Sequence, residues 1–139
     1  MVRWSWRGKS SVDIIPLDES LRAFHDVSGK PTMVTEFTSR LRVDGYNDYP
    51  PSYAVQPVVK TQAGRAARYS YCVNSWLSQP WFIGAHWFEY ADQPQAGHSD
   101  GENSTFGLVD IHDDPYDEFV DAVADTIPHI WKAHAEAVE

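Results

Sequence analysis

The sequence predicts an α/β fold organised around a parallel βαβ crossover, and two short apolar runs with the segment between them give that prediction. The first run, Lys30-Pro31-Thr32-Met33-Val34-Thr35-Glu36-Phe37, is rich in apolar and β-branched residues and is cut off from what precedes it by Gly29 and Pro31. The second, Trp81 to Tyr90, is nearly continuously apolar, as befits a parallel strand covered on both faces. Between them lie a long loop and a helix-like segment, the kind of connection two parallel strands require. Such a crossover brings the C-terminal ends of both strands to one side of the sheet, so Glu36 and the Trp87 to Tyr90 cluster are expected to face one cleft.

Taken in order, residues 1–16 place Trp4 and Trp6 among Arg3, Arg7 and Lys9 without useful periodicity, and read as a loose arm ahead of a domain over 17–139. Leu17, Leu21, Phe24 and Val27 recur at helical spacing, with Asp18 near the start and Gly29 as the stop. Thr38 to Lys60 is turn-rich, with Tyr46, Tyr49 and Tyr53 between its glycine and prolines. Loops longer than about 15 residues are usually functional or disordered, and three tyrosines favour function. Arg40 and Arg42 in that loop are expected mainly to be solvated. Thr61 to Ser78 reads as a helix capped by Thr61 and closed by Pro80, with Ala63, Ala66, Ala67, Tyr71, Val73, Trp76 and Leu77 on its buried side.

A second long loop runs from Ala91 to Asp114, within which Phe106 to Ile111 has the apolar character of a small extra strand. Asp114-Pro115 supplies a cap followed by a first-turn proline. Phe119, Val120, Val123, Ala124, Ile127, Ile130 and Trp131 then continue at helical spacing, and Pro128 is expected to kink or restart that helix.

With 139 residues the chain suffices for one domain, well short of the roughly 250 of a complete α/β barrel. A formal charge of −9, from 20 acidic and 11 basic residues, excludes the basic stripe of a nucleic-acid groove. Cys72 stands alone, which rules out an internal disulfide and multi-cysteine zinc sites. No apolar run reaches the roughly 18 residues of a membrane span, and the start has no apolar secretory core, so a cytosolic protein is the default expectation.

Glu36 is the anomaly, because a carboxylate in an apolar strand is costly to bury without a partner. Either it points at water from an edge strand, or it serves a site. A carboxylate beside an aromatic platform suits a sugar, whose apolar face the ring covers while the carboxylate attacks or stabilises the anomeric carbon. Other chemistries find less support. His98, Asp100, Glu102, His112, Asp113 and Asp114 match no zinc or EF-hand spacing, and no metal or cofactor is expected. His86, next to Trp87, must point to the other strand face and reads as a hydrogen-bonded core histidine. Neither a nucleophile elbow nor a glycine-rich phosphate loop occurs.

Several blocks together resemble a known family. Gly29 to Phe37, Val59 to Ala66, Gly84-Ala85-His86-Trp87-Phe88-Glu89-Tyr90-Ala91-Asp92-Gln93-Pro94, Asp100-Gly101-Glu102-Asn103 and Phe106-Gly107-Leu108-Val109-Asp110 look like the C-terminal part of agarase-like and β-galactosidase-like retaining (β/α)8-barrel glycoside hydrolases. The resemblance implies a partial TIM barrel, comprising strands six or seven to eight with their helices. It implies that Glu36 is the nucleophile at the end of strand seven and that Trp87 on strand eight is the floor under the sugar. Gln93 and the loop Asp100, Glu102 and Asn103 would border the cleft. Glu89, placed by alternation on the strand face of Trp87, is expected there too as a further substrate contact; it is a better candidate than Glu102 for a substitute acid, but the resemblance gives it no such role and the substitution is not expected.

The general acid/base of that clan, a Glu at the end of strand four, has no counterpart here. The expected function is therefore that of a retaining β-glycosidase part acting on polysaccharide or oligosaccharide, inactive alone, with a non-catalytic carbohydrate-binding or structural half-barrel as the alternative. The carbohydrate would be its ligand, and self-association or pairing with an N-terminal half-barrel would cover its open sheet edge.

Overall fold

The computed structural model describes residues 19–46, 57–99 and 101–138. The expected arm over 1–16, Leu17, Tyr49 and Tyr53 lie outside the described residues. The element order is α1 (Glu19–Ser28), β1 (Thr32–Phe37), β2 (Arg40–Leu41), β3 (Val58–Val59), α2 (Gln62–Leu77), β4 (Phe82–Trp87) and α3 (Asp117–Val138). β1 and β4 pair in parallel, with α2 in the connection between them, so the expected βαβ unit forms. β2 and β3 make a second, minimal parallel pair. The described strands form two-stranded sheets, and no closed barrel is present among them.

Local chemistry explains the ends of α2. Thr61 is extended and its Oγ1 accepts the Gly64 N–H at 3.0 Å, satisfying one orphan donor of the first turn. The Ser78 N–H, bonded to Asn74 O at 3.1 Å, closes the last turn ahead of Pro80. The buried side of α2 is Arg65, Ala66, Arg68, Tyr69, Cys72, Val73, Trp76 and Leu77. Ala63, Ala67 and Tyr71, expected inside, are exposed, and two arginines take part of the buried stripe.

Other expectations need correction. Phe106 to Ile111 forms no strand; Val109 alone makes isolated bridges, to Ala91 and Pro115. The last helix begins at Asp117, because the Tyr116 carbonyl accepts from Phe119 and Val120, and Asp117 and Glu118 then lie where the helix dipole favours anions. α3 runs through Pro128 as a single helix. β4 ends at Trp87, short of Tyr90.

The core lies between the β1–β4 sheet and the pair α2 and α3. Phe82 and Phe119 are wholly buried, and Trp76 and Cys72 nearly so. Phe37 packs edge-on against Trp76 at 5.0 Å and Trp87 at 5.2 Å, an arrangement the ring quadrupole favours. Among the described residues helices cover one face of the sheet only, and Ile83 is 57 % exposed where a doubly covered strand was expected. Phe24 and Val27 on α1 and Ile127 and Trp131 on α3 are exposed as well.

Phe119→Ala is expected to lower stability by about 3–5 kcal/mol, as loss of a fully buried aromatic does, whereas Ile127→Ala on the outer face should change it by less than about 1 kcal/mol. Urea denaturation midpoints of the two variants check this contrast.

Candidate functional site

The site begins with a register irregularity. Thr32 pairs with Phe82, Met33 with Gly84, Val34 with Ala85 and Phe37 with Trp87. β4 thus carries an extra residue, Ile83, near its start, and β1 sets Thr35 and Glu36 against the single residue His86 near its end. A bulge of this kind re-aims side chains. Val34 and Phe37 both pack into the core, while Thr35 and Glu36 between them are both exposed. Glu36 therefore opens from the helix-free face, at the C-terminal end of β1.

Trp87 takes the other side, contrary to the expectation of one cleft shared with Glu36. Its ring meets Tyr69 at 5.8 Å and Phe119 at 5.0 Å, and its Nε1 donates to Phe106 O at 2.9 Å. Alternation along β4 sends Trp87 to the aromatic layer and His86, exposed, to the face of Glu36. The expectation of a core position for His86 is likewise corrected. Neighbouring strands and adjacent residues are right; the faces are exchanged.

Beyond the strands the loops are tied by polar groups. Arg65 is wholly buried, donating from Nε to Ser39 O at 3.1 Å, from Nη2 to Thr105 O at 3.0 Å and from Nη1 to the Gln62 side chain at 3.3 Å. Its guanidinium lies over the rings of Phe119 at 4.8 Å, Tyr116 at 5.6 Å and Trp87 at 5.7 Å. Burial pushes its pKa down to about 10, against the pull of Asp92, so it stays charged at neutral pH. Asp92 accepts from Gly107 N at 2.6 Å and from Tyr116 Oη at 2.5 Å. Burial pushes Asp92 up, and those two hydrogen bonds and Arg65 draw it back. Gly107 is required, because a Cβ there would strike the backbone of Ala91, Asp92 and Val109. Composition gave no sign of this knot, although Arg65, Tyr69, Cys72 and Trp76 fall at the spacing of one helix face.

The expected cleft border is part of the same framework. Gln93 is 2 % exposed; its Nε2 donates to Glu102 Oε2 at 2.7 Å and its Oε1 accepts from Ser104 N at 2.7 Å. Asn103 donates to Gly45 O and Gln95 O, both at 3.3 Å, fastening this loop to the one after β2. Their amides are thereby engaged within the protein rather than presented to a ligand. Glu102 is half-buried, and Asp100 lies outside the described residues.

Glu89 is half-buried, with Oε1 enclosed and unpaired. Since β4 ends at Trp87, strand alternation does not fix its face. Burial pushes its carboxyl up, Gln93 and His98 draw it back, and Glu102 and Asp92 add to the rise. Alongside, Arg40, Arg42, Val43, Asp44, Gly45, Tyr46 and Val58 line a depression of about 360 Å³. Among the described residues no three His, Cys, Asp or Glu side chains are grouped to hold a metal.

No family model matches the sequence. The chain is 46 % identical over 63 residues to beta-agarase B of Vibrio sp. (strain JT0107), which covers 45 % of this chain and 7 % of that protein. In fold it is similar to a solved exo-beta-agarase, with a TM-score of 0.73 and 34 % identity over 86 % of this chain and 16 % of the other. PfGH50B gives a TM-score of 0.73 and 31 % identity over 86 % and 17 %. The chain thus spans a small part of the length of these relatives. The resemblance to agarase-like glycoside hydrolases holds over most of the chain.

Arg65→Leu is expected to cost about 3–5 kcal/mol by leaving buried Asp92 without its cation, read from the denaturation midpoint. Glu89→Gln should act in the opposite direction. A carboxyl whose folded pKa lies above its unfolded value of 4.5 destabilises the fold once both states are ionised, so the substitution should raise Tm at pH 7 and have no such effect below about pH 4. Thermal unfolding at both pH values measures it.

Proposed function

We propose that this chain provides the nucleophile-bearing C-terminal strands of an agarase-like retaining glycoside hydrolase that cleaves O-glycosidic bonds in a polysaccharide or oligosaccharide. One observation supports this above others: the chain follows an exo-beta-agarase over 86 % of its length, and Glu36, next to the last residue of β1, stands exposed on the face that the described helices leave open. In this reading β1 and β4 are strands seven and eight of a (β/α)8 barrel, α2 and α3 are their helices, and the open face is the barrel interior. Barrel enzymes set their reacting groups at the C-terminal ends of strands.

Glu36 would attack the anomeric carbon and form a covalent glycosyl-enzyme, which water then hydrolyses. A second carboxyl, about 5–5.5 Å away, must protonate the leaving oxygen and afterwards activate the water. In the resembled family that group is a Glu at the end of strand four, ahead of the matched strands, and neither Glu89 nor Glu102 is assigned its role. Both edges of the β1–β4 sheet are unpaired among the described residues, and they are the surfaces where the neighbouring barrel strands would add, from an N-terminal half-barrel or a second copy. The chain alone is expected to be inactive. The second reading is that the exposed face of Glu36 and His86 binds carbohydrate without hydrolysis.

Co-expression with an N-terminal barrel portion carrying the strand-four Glu should yield a complex that releases sugars from agarose with retained anomeric configuration. Glu36→Gln in that complex should lower kcat at least about a thousandfold. A folded complex that binds agarose-derived oligosaccharides yet stays inactive would overturn the hydrolase reading in favour of the binding one.

A further inference from the structure

The helix-free face of the β1–β4 pair holds two ionisable side chains, and they stand on adjacent strands. Phe37 is opposite Trp87, so Glu36 and His86, each one residue earlier, are neighbours across the pair. Both are exposed, while Val34, Phe37, Ala85 and Trp87 around them pack into the core on the other side. TMVTEF and FIGAHW contain no other ionisable group. Among the described residues neither side chain makes a hydrogen bond or an ion pair, which leaves their polar atoms to a ligand. Parallel strands run about 4.8 Å apart, so one hydroxyl fits within reach of both a carboxylate and an imidazole on neighbouring strands.

A sugar hydroxyl donates and accepts, and neutral imidazole offers one N–H and one acceptor nitrogen. We propose that His86 is the substrate-positioning partner of Glu36, hydrogen-bonding the hydroxyl beside the carbon that Glu36 attacks in a galactose-containing oligosaccharide. This rests on the reading of Glu36 given above. The imidazole fixes the rotation of the sugar over the sheet, and the carboxylate then meets the anomeric carbon along one approach. Thr35, the other exposed residue of the bulge, adds a hydroxyl but no charge to the same face.

The test is binding of an agarose-derived tetrasaccharide to the wild-type chain, His86→Ala and His86→Gln, with the His86 ring signals followed by NMR at fixed pH. His86 is exposed, so its substitutions leave the core intact. The tetrasaccharide should move the His86 ring signals, and its Kd should rise about tenfold in His86→Ala and less than about threefold in His86→Gln, which keeps a donor and an acceptor. His86 ring signals unmoved by bound tetrasaccharide, a Kd unchanged in His86→Ala, or no binding to the folded chain would each overturn the proposal. The binding measurement involves no turnover, so a Kd unchanged in His86→Ala rejects His86 while leaving Glu36 as nucleophile, and an inactive complex whose Kd still rises in His86→Ala rejects the hydrolase reading alone.

Discussion

The buried guanidinium of Arg65 is the constraint on which the arrangement of loops depends. A fixed positive charge inside a small protein is tolerable only when its donors are matched and an anion lies near, and here the partners come from three separate parts of the chain. Ser39 O lies just after β1, Thr105 O belongs to the long loop after β4, and Phe119 and Tyr116 supply aromatic faces at the start of α3. Asp92, held by Gly107 and Tyr116, closes the set. Arginine suits this position where lysine would not, because its planar fork reaches two carbonyls while its faces stack on rings.

That knot frees the opposite side of the sheet. With Trp87, Phe37 and Ala85 committed to the helices and the guanidinium stacked behind them, Glu36 and His86 can only lie on the uncovered face. The bulge in β1 is what allows Phe37 to regain the core after two outward residues. A site built this way separates two duties. The aromatic layer fixes the strand end from behind, and the polar pair faces whatever binds in front. The loop residues Gln93 and Asn103 serve the same end, Gln93 holding the loop after β4 together at Ser104 and Asn103 tying it to Gly45 in the loop after β2.

Much of the framework was legible in the residues. Gly29 and Pro31 mark the start of β1, Thr61 announces α2, and the apolar run after Pro80 becomes β4, because turn residues and caps act within a few positions of where they stand. The faces were less legible. Strict alternation put His86 in the core and Trp87 in the cleft beside Glu36, since it took the wrong side of β4 for the buried one and counted no bulges. Phe106 to Ile111 had the composition of a strand, yet its neighbours offer a partner to Val109 only. Tyr71, Ala63 and Ala67 looked internal by periodicity, whereas Arg65 and Arg68 took that stripe, Arg65 through carbonyl partners at Ser39 and Thr105 far along the chain.

The sequence by itself determined the order of helices and strands, the parallel crossover, the exposed carboxylate at a strand end and the likeness to agarase-like hydrolases. Those are properties of local chemistry and of residue blocks in order. Tertiary structure alone decided which side of the sheet the helices cover, that Trp87 supports Glu36 from behind rather than beside it, and that His86 shares its face. A bulge and a buried charge set these outcomes, and each depends on contacts between residues separated by tens of positions, where the energy of burial and of paired charges outweighs any local preference.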